Sequence, residues 1–288
     1  MSPSQTRHAL ALISMSRNPY HLPDQPPTLR QSVFALMDIL GYTGMTKQSE
    51  RAGTQGELLQ RLYRALSEGR KGLEDWPPPK LGNRDRYALK AFTDNIVVGW
   101  PVHHDVESEF ERAFFKLANF QLSMVIEGFF LRGALSVGDA YVDEIAVFGN
   151  ALIEAHDGEA TLARDPRIIL TSSAVEVIKK HLTYYTEPAS APHVRCVLRD
   201  ADGQWFLNYL DSVLMVEEAG PFYRDLLRHK EVVEENLHKH RGDPVVWSKY
   251  AWVAGYHNFF CDLHPRYFTD EHKINVDLFR PWPSRIVD

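Results

Sequence analysis

Cysteine is nearly absent: Cys196 and Cys261 are the only two among 288 residues. Two thiols can make neither a disulfide framework nor a cysteine-rich zinc site, so the chain is expected in a reducing cytoplasm. Excess basic charge is missing too. Lys and Arg total 32 against 38 Asp and Glu, a formal net charge of −6, which argues against a general nucleic-acid binder. No apolar run approaches the length that a bilayer crossing needs, so no membrane partner is expected. The short apolar patch at residues 9–13 is too brief for a signal peptide. The chain has no Walker loop, no Gly-x-Ser-x-Gly elbow and no His-Glu-x-x-His pair. P-loop nucleotide chemistry, α/β-hydrolase chemistry and zinc-protease chemistry therefore lack their usual residues. Repeats are absent as well.

What is present is ordinary for a globular chain: 44% hydrophobic and 24% charged residues. Residues 1–29, rich in Pro, Ser and Gln, read as an arm. A strand is expected over 31–38. Leu58, Leu59, Leu62, Tyr63 and Leu66 recur at helical spacing within 46–76, and the run Trp76-Pro77-Pro78-Pro79 ends that pattern. A hairpin over 88–99 turns at Asp94. A long helix over 106–128 points Phe110, Phe114, Leu117, Phe120 and Leu122 inward. Two strands, 129–137 and 141–148, are expected to join near Gly138. A helix over 149–159, a strand over 167–170 and a helix capped at Ser172 or Ser173 follow. Beyond residue 187 the pattern gives a strand at 204–210 and helices at 221–240 and 244–262. The whole reads as an α+β protein of ferredoxin-like kind with a C-terminal helical extension. Its divisions are an arm at 1–29, a core at 30–186 and an extension at 187–288 packed on that core.

Two aspartates carry the chemistry. Asp38 ends the apolar run from Val33 to Met37, and Asp94 sits at the hairpin turn. Hard cations want oxygen ligands, and two converging carboxylates are what two-metal phosphoryl chemistry needs. Each alone has a plain explanation, since Asp-Asn is common in turns. The pair in these settings favours metal binding and a catalytic role for Asp38 and Asp94. Leu40-Gly41-Tyr42-Thr43-Gly44 then leads into a helix, and its backbone N–H groups could cradle phosphates. His257, Cys261 and His264, or His238 and His240, read as core or solvated side chains rather than zinc ligands.

The order of these motifs resembles the class III nucleotidyl cyclases. Asp38-Ile39-Leu40-Gly41-Tyr42-Thr43 is similar to their first metal motif, and Phe92-Thr93-Asp94-Asn95 to the second. Leu131-Arg132-Gly133-Ala134-Leu135-Ser136-Val137-Gly138 followed by Phe148-Gly149-Asn150 is similar to the third. The closer resemblance is to the Pycsar pyrimidine cyclases of bacterial anti-phage defence, on residues 148–156, 204–210 and 249–252.

The resemblance implies a class III catalytic core and a phosphorus–oxygen lyase that makes cyclic UMP or cyclic CMP. Two Mg²⁺ or Mn²⁺ ions per site would be held by Asp38, Asp94 and the Ile39 carbonyl, with the triphosphate at Gly41, Tyr42 and Thr43. It implies a head-to-tail homodimer with sites at the interface, and a cyclic product that acts on a separate effector. Lys90 stands where adenylate cyclases read the purine. The partner position is Ala146, which offers no hydrogen bond, so UTP is expected first and CTP second. The transition-state positions fall near Ile153 and Asp157, which cannot do that work; Asn150, Glu154 or His156 are the candidates to replace them. An adenylate cyclase of unusual pocket and a catalytically silent nucleotide sensor stay open beside this reading.

Overall fold

The computed structural model describes residues 18–21, 26–74, 86–102, 106–214 and 220–280. The proline run at 77–79 and most of the N-terminal arm lie outside the described residues. The sheet is organised around β1 (Arg30–Ile39), whose apolar run is buried on both faces. Val33, Ala35, Met37 and Ile39 face one core cluster; Phe34 and Leu36 face another. β1 pairs antiparallel with β3 (Asn95–Pro101) on one side and with β4 (Leu131–Val142) on the other. β2 (Ala88–Phe92) forms the expected hairpin with β3. The strand order β2-β3-β1-β4, with helices in both crossovers, is the ferredoxin-like arrangement.

Two helices, not one, fill the first crossover: α1 (Tyr42–Ala52) and α2 (Gln55–Leu73). They part at Gly53, whose φ of 70° is a left-handed helix stop. Leu59 and Tyr63, on the expected helical stripe, are 65% and 73% exposed. α3 (Glu107–Ile126) fills the second crossover. Its Phe110, Phe114, Leu117, Phe120 and Leu122 are buried under the β1 face, as their spacing foretold. Each such side chain contributes about 1.5–3 kcal/mol of burial.

β4 corrects the expected turn at Gly138. It runs unbroken from Leu131 to Val142. The chain reverses instead at Asp143, whose Oδ1 accepts the N–H groups of Ile145 and Ala146, before the short β5 (Val147–Phe148). Gly138 has a different task. A Cβ there would lie 3.1 Å from Asn150 Oδ1 and 3.5 Å from the Ala151 methyl, so its bareness lets α4 (Asn150–Thr161) lie against the strand.

β6 (Ile168–Leu170) pairs parallel with β4 and leads into α5 (Ser172–Leu182). Neither Ser172 nor Ser173 is the cap. Thr171 occupies that position, but its hydroxyl meets Ser173 Oγ at 3.1 Å rather than a helix N–H; Ser173 Oγ also accepts the Val137 N–H, and Ser173 N–H donates to Glu154.

The last third adds strands as well as helices. After the one-turn α6 (His193–Cys196), β7 (Val197–Arg199) and β8 (Trp205–Leu207) continue the same sheet beside β6. α7 (Tyr223–Lys239) and α8 (Pro244–Leu263) follow, with Leu226, Val233, Val253 and Phe260 buried in the same cluster as α3. Nor are residues 18–21 a free arm. Tyr20 is buried with its hydroxyl on Ser32 Oγ at 2.8 Å, and Pro19 and Asn18 bond to Arg30 and Val142.

A buried histidine pair locks α7 to α8. His229 Nδ1 faces His257 Nδ1 at 3.0 Å, Tyr209 OH meets His229 Nε2, and His257 Nε2 reaches the His272 carbonyl. Burial pushes His257 down to about 4 and His229 well below its ordinary value. The unfolded chain protonates both near 6.5, so their contribution is whole above about pH 6.5 and is lost as pH falls toward His257's folded value. The unfolding midpoint should therefore drop between about pH 7 and about pH 5. A midpoint constant across that window would contradict this.

Candidate metal and nucleotide site

Asp38 reaches the end of β1 opposite two residues at once. Its backbone partners are Asn95 on β3 and Arg132 on β4. The hairpin turn brings Asp94 alongside, and its carbonyl accepts the N–H of Ile39 at 3.0 Å. Asp38, Ile39 and Asp94 are thus brought together at one end of the sheet. The turn that presents Asp94 is tight. Thr93 takes φ 55°, a backbone region that favours glycine, and its hydroxyl, like Asn95 Nδ2, donates to Asp94 Oδ1. Asp94 Oδ1 is thereby aimed by both its neighbours.

The half-buried Asp38 carboxyl is raised above its ordinary pKa. Burial is the main cause; the negative charges of Asp94 and Glu159 add to it, and the Arg132 guanidinium opposes it. Arg132 Nε donates to Asp38 Oδ2 at 3.1 Å. The same nitrogen lies 2.9 Å from Glu159 Oε1 on α4. Its single hydrogen points to Asp38, so the Glu159 contact is an ion pair and leaves Oε1 without a hydrogen bond. Two carboxylates, Asp38 and Glu159, thus share one guanidinium, with the Asp94 charge close by, and a cation would relieve the crowding of negative charge. The donors are hard oxygens suited to Mg²⁺ or Mn²⁺. Among the described residues no group of three or more His, Cys, Asp or Glu side chains is placed to hold a metal. Asp38 and Asp94 would have to share such ions with backbone and substrate oxygens.

Directly after Ile39, Leu40 N–H bonds to Phe130 O, and the chain turns through Gly41 at φ 74° into α1. No side chain caps this helix. The N–H groups of Tyr42, Thr43 and Gly44 are therefore free of helical partners, and the space over Gly41 is open.

Lys90 lies on the same sheet face as Asp38. Its partner is Val97, which pairs with Leu36, two rows along from the row of Phe92, Asn95 and Asp38. The remaining residues are elsewhere. Ala146 is exposed in the β4–β5 turn. Asn150 abuts Gly138, which is opposite Ser32, whereas Arg132 is opposite Asp38. Along β4 that is a separation of about 20 Å. Glu154 is engaged at the start of α5, and His156 is exposed beside Asp157. Within one chain Asn150, at the start of α4, therefore does not meet the aspartates, whereas Glu159 near its other end does approach Asp38 through Arg132.

Sequence reasoning missed Glu159, which nothing but the fold brings to Arg132. Arg132, within the third motif, has its guanidinium tied to Asp38.

No family model and no curated protein matches the sequence. Solved structures with similar folds include the guanylyl cyclase Cya2. There the TM-score is 0.40 with 13% identity, covering 52% of this chain and 79% of that one. Another is a class III adenylyl cyclase-like ATP-binding protein from Pseudomonas aeruginosa, at TM-score 0.40 and 14% identity, covering 84% of this chain. The match covers about half of that protein, 53%. The ferredoxin-like fold is seen in the strand order and register of the chain itself.

Proposed function

We propose that this chain is a metal-dependent nucleotidyl cyclase that converts a pyrimidine nucleoside triphosphate, UTP before CTP, into its 3′,5′-cyclic monophosphate and pyrophosphate. The observation that carries the reading is the meeting of Asp38 and Asp94 beside the uncapped start of α1. Two Mg²⁺ or Mn²⁺ ions, when bound, would lower the pKa of the ribose 3′-hydroxyl and neutralise the triphosphate. Asp38, Asp94 and the Ile39 carbonyl are the groups that would hold them. In the reaction the 3′-hydroxyl would give its proton to solvent water and its oxygen would attack the α-phosphorus. The new P–O bond forms as the bond to the β-phosphate bridge breaks, and pyrophosphate leaves. Tyr42, Thr43 and Gly44 would orient the β- and γ-phosphates through backbone N–H groups and the positive end of α1. Arg132, already on Asp38, favours the ionised carboxylate against the burial that raises its pKa.

The pyrimidine preference is supported by the bare methyl of Ala146 and by the resemblance of residues 148–156. A site built for a small base excludes purines by size and by polar groups left unpaired. The distance between Asp38 and the start of α4 supports a homodimer in which one chain's aspartates face the partner's α4, with Asn150 and His156 as candidates to act on the transition state. We assign the cyclic product the role of a second messenger for a separate effector in anti-phage defence, on the same resemblance.

The test is pyrophosphate release from each of the four nucleoside triphosphates with Mn²⁺. Release from UTP that a chelator abolishes is the expected result. No release from any of the four would leave a silent nucleotide sensor as the better reading.

A further inference from the structure

Lys249 lies on α8, in the C-terminal third, yet its ammonium senses the charges of Arg132, Asp165 and Asp38. Its neighbour explains the placement. Tyr250 is buried, with its ring edge-on to Phe130 at 5.0 Å and His240 stacked on it at 5.4 Å. Phe130 immediately precedes β4, and its carbonyl accepts the N–H of Leu40, the residue that leads into the turn before α1. α8, the start of β4 and the turn at residues 40–43 therefore converge at the Asp38 end of the sheet.

Lys249 is half-buried there and makes no hydrogen bond or ion pair with any described residue. Burial, with the Arg132 guanidinium, holds its pKa below the ordinary lysine value. Withdrawing an ammonium from water costs free energy that an opposite charge must offset. Asp38 and Asp165 attract it but do not pair with it, and both are also drawn to arginines, Arg132 and Arg164. The free N–H groups at the start of α1 face the same need for an anion.

We propose that Lys249 binds the β- and γ-phosphates of the substrate, so that the C-terminal third supplies a phosphate-binding cation to the site of its own chain. This rests on the cyclase reading above and answers what the extension is for. A lysine suits the task as a mobile point charge on a flexible stem, able to follow pyrophosphate as it departs.

The test uses the full chain, Mn²⁺ and inorganic tripolyphosphate, with binding measured by calorimetry. Lys249→Met should weaken tripolyphosphate binding roughly tenfold or more. Lys249→Arg should restore most of it. Both variants should keep the native unfolding midpoint and bind the cyclic mononucleotide, which lacks the β- and γ-phosphates, as the native chain does. Equal tripolyphosphate affinity in Lys249→Met would overturn the assignment. So would parallel weakening of tripolyphosphate and cyclic mononucleotide, which marks a merely structural role. A native chain that binds neither would overturn the cyclase reading along with it.

Discussion

Asp38→Ala should lose cyclisation by a factor on the order of a thousand or more while folding as the native chain does. The carboxylate is one of the few side-chain oxygens available to hold a cation at the sheet end, and its loss leaves Asp94 alone there. The fold should tolerate the change. Asp38 is half-buried, and burial with the nearby charges of Asp94 and Glu159 works against its ionisation while Arg132 offsets part of that. Arg132 keeps its second partner, Glu159, at 2.9 Å, so no guanidinium is stranded. Initial rates of pyrophosphate release, read beside a denaturation curve, check both halves of the statement. Near-native turnover in Asp38→Ala would remove the site assignment.

The second large effect concerns assembly. Phe148 and Ile153 are 66% and 63% exposed, and Ile145 in the neighbouring turn is 81% exposed. Three large apolar side chains crowd the β4–β5 turn and the start of α4, the region that the homodimer proposal sets against a second chain. Apolar side chains gathered in one exposed place mark an interaction surface more often than scattered ones do. A double variant, Phe148→Asp with Ile153→Asp, should be monomeric by light scattering at micromolar concentration. Its activity should fall on the order of a hundredfold, because charges forced into an interface core remove its anchors. Both side chains are solvent-facing in the single chain, so its unfolding midpoint should stay near native. A fully active monomer would defeat the shared-site proposal.

Much of the core was legible because burial writes period into sequence. β1 reads as a strand from its continuous apolar run. α3 reads as a helix from Phe110, Phe114 and Leu117, and the Asp94 hairpin from turn chemistry between two apolar segments. What escaped did so for local reasons. Gly138 resembles a turn because a glycine in a strand has two explanations, a reversal or a close neighbour, and only Asn150 and Ala151 packed on it decide between them. α1 begins at Tyr42, earlier than its apolar pattern suggests, since Gly41 starts it by backbone conformation without a side-chain cap. Tyr20 sits in a proline-rich stretch that looks free, but its ring and hydroxyl bury it against Ser32.

The candidate site was legible where its residues are consecutive, as from Asp38 to Thr43. It was illegible where charge arrives from afar. Glu159 belongs to no motif, Lys249 stands in the 249–252 stretch without a role the sequence can assign, and only the folding of α4 and α8 back to the start of β4 brings them to the site.

Identifying the product is the decisive measurement. Purified chain is incubated separately with UTP, CTP, ATP and GTP and Mn²⁺, and each mixture is analysed by mass spectrometry. Cyclic UMP is expected as the main product, cyclic CMP next, and little cyclic AMP or cyclic GMP. A profile dominated by cyclic AMP would overturn the pyrimidine assignment and leave the metal site standing. No cyclic nucleotide from any of the four would contradict the central claim itself.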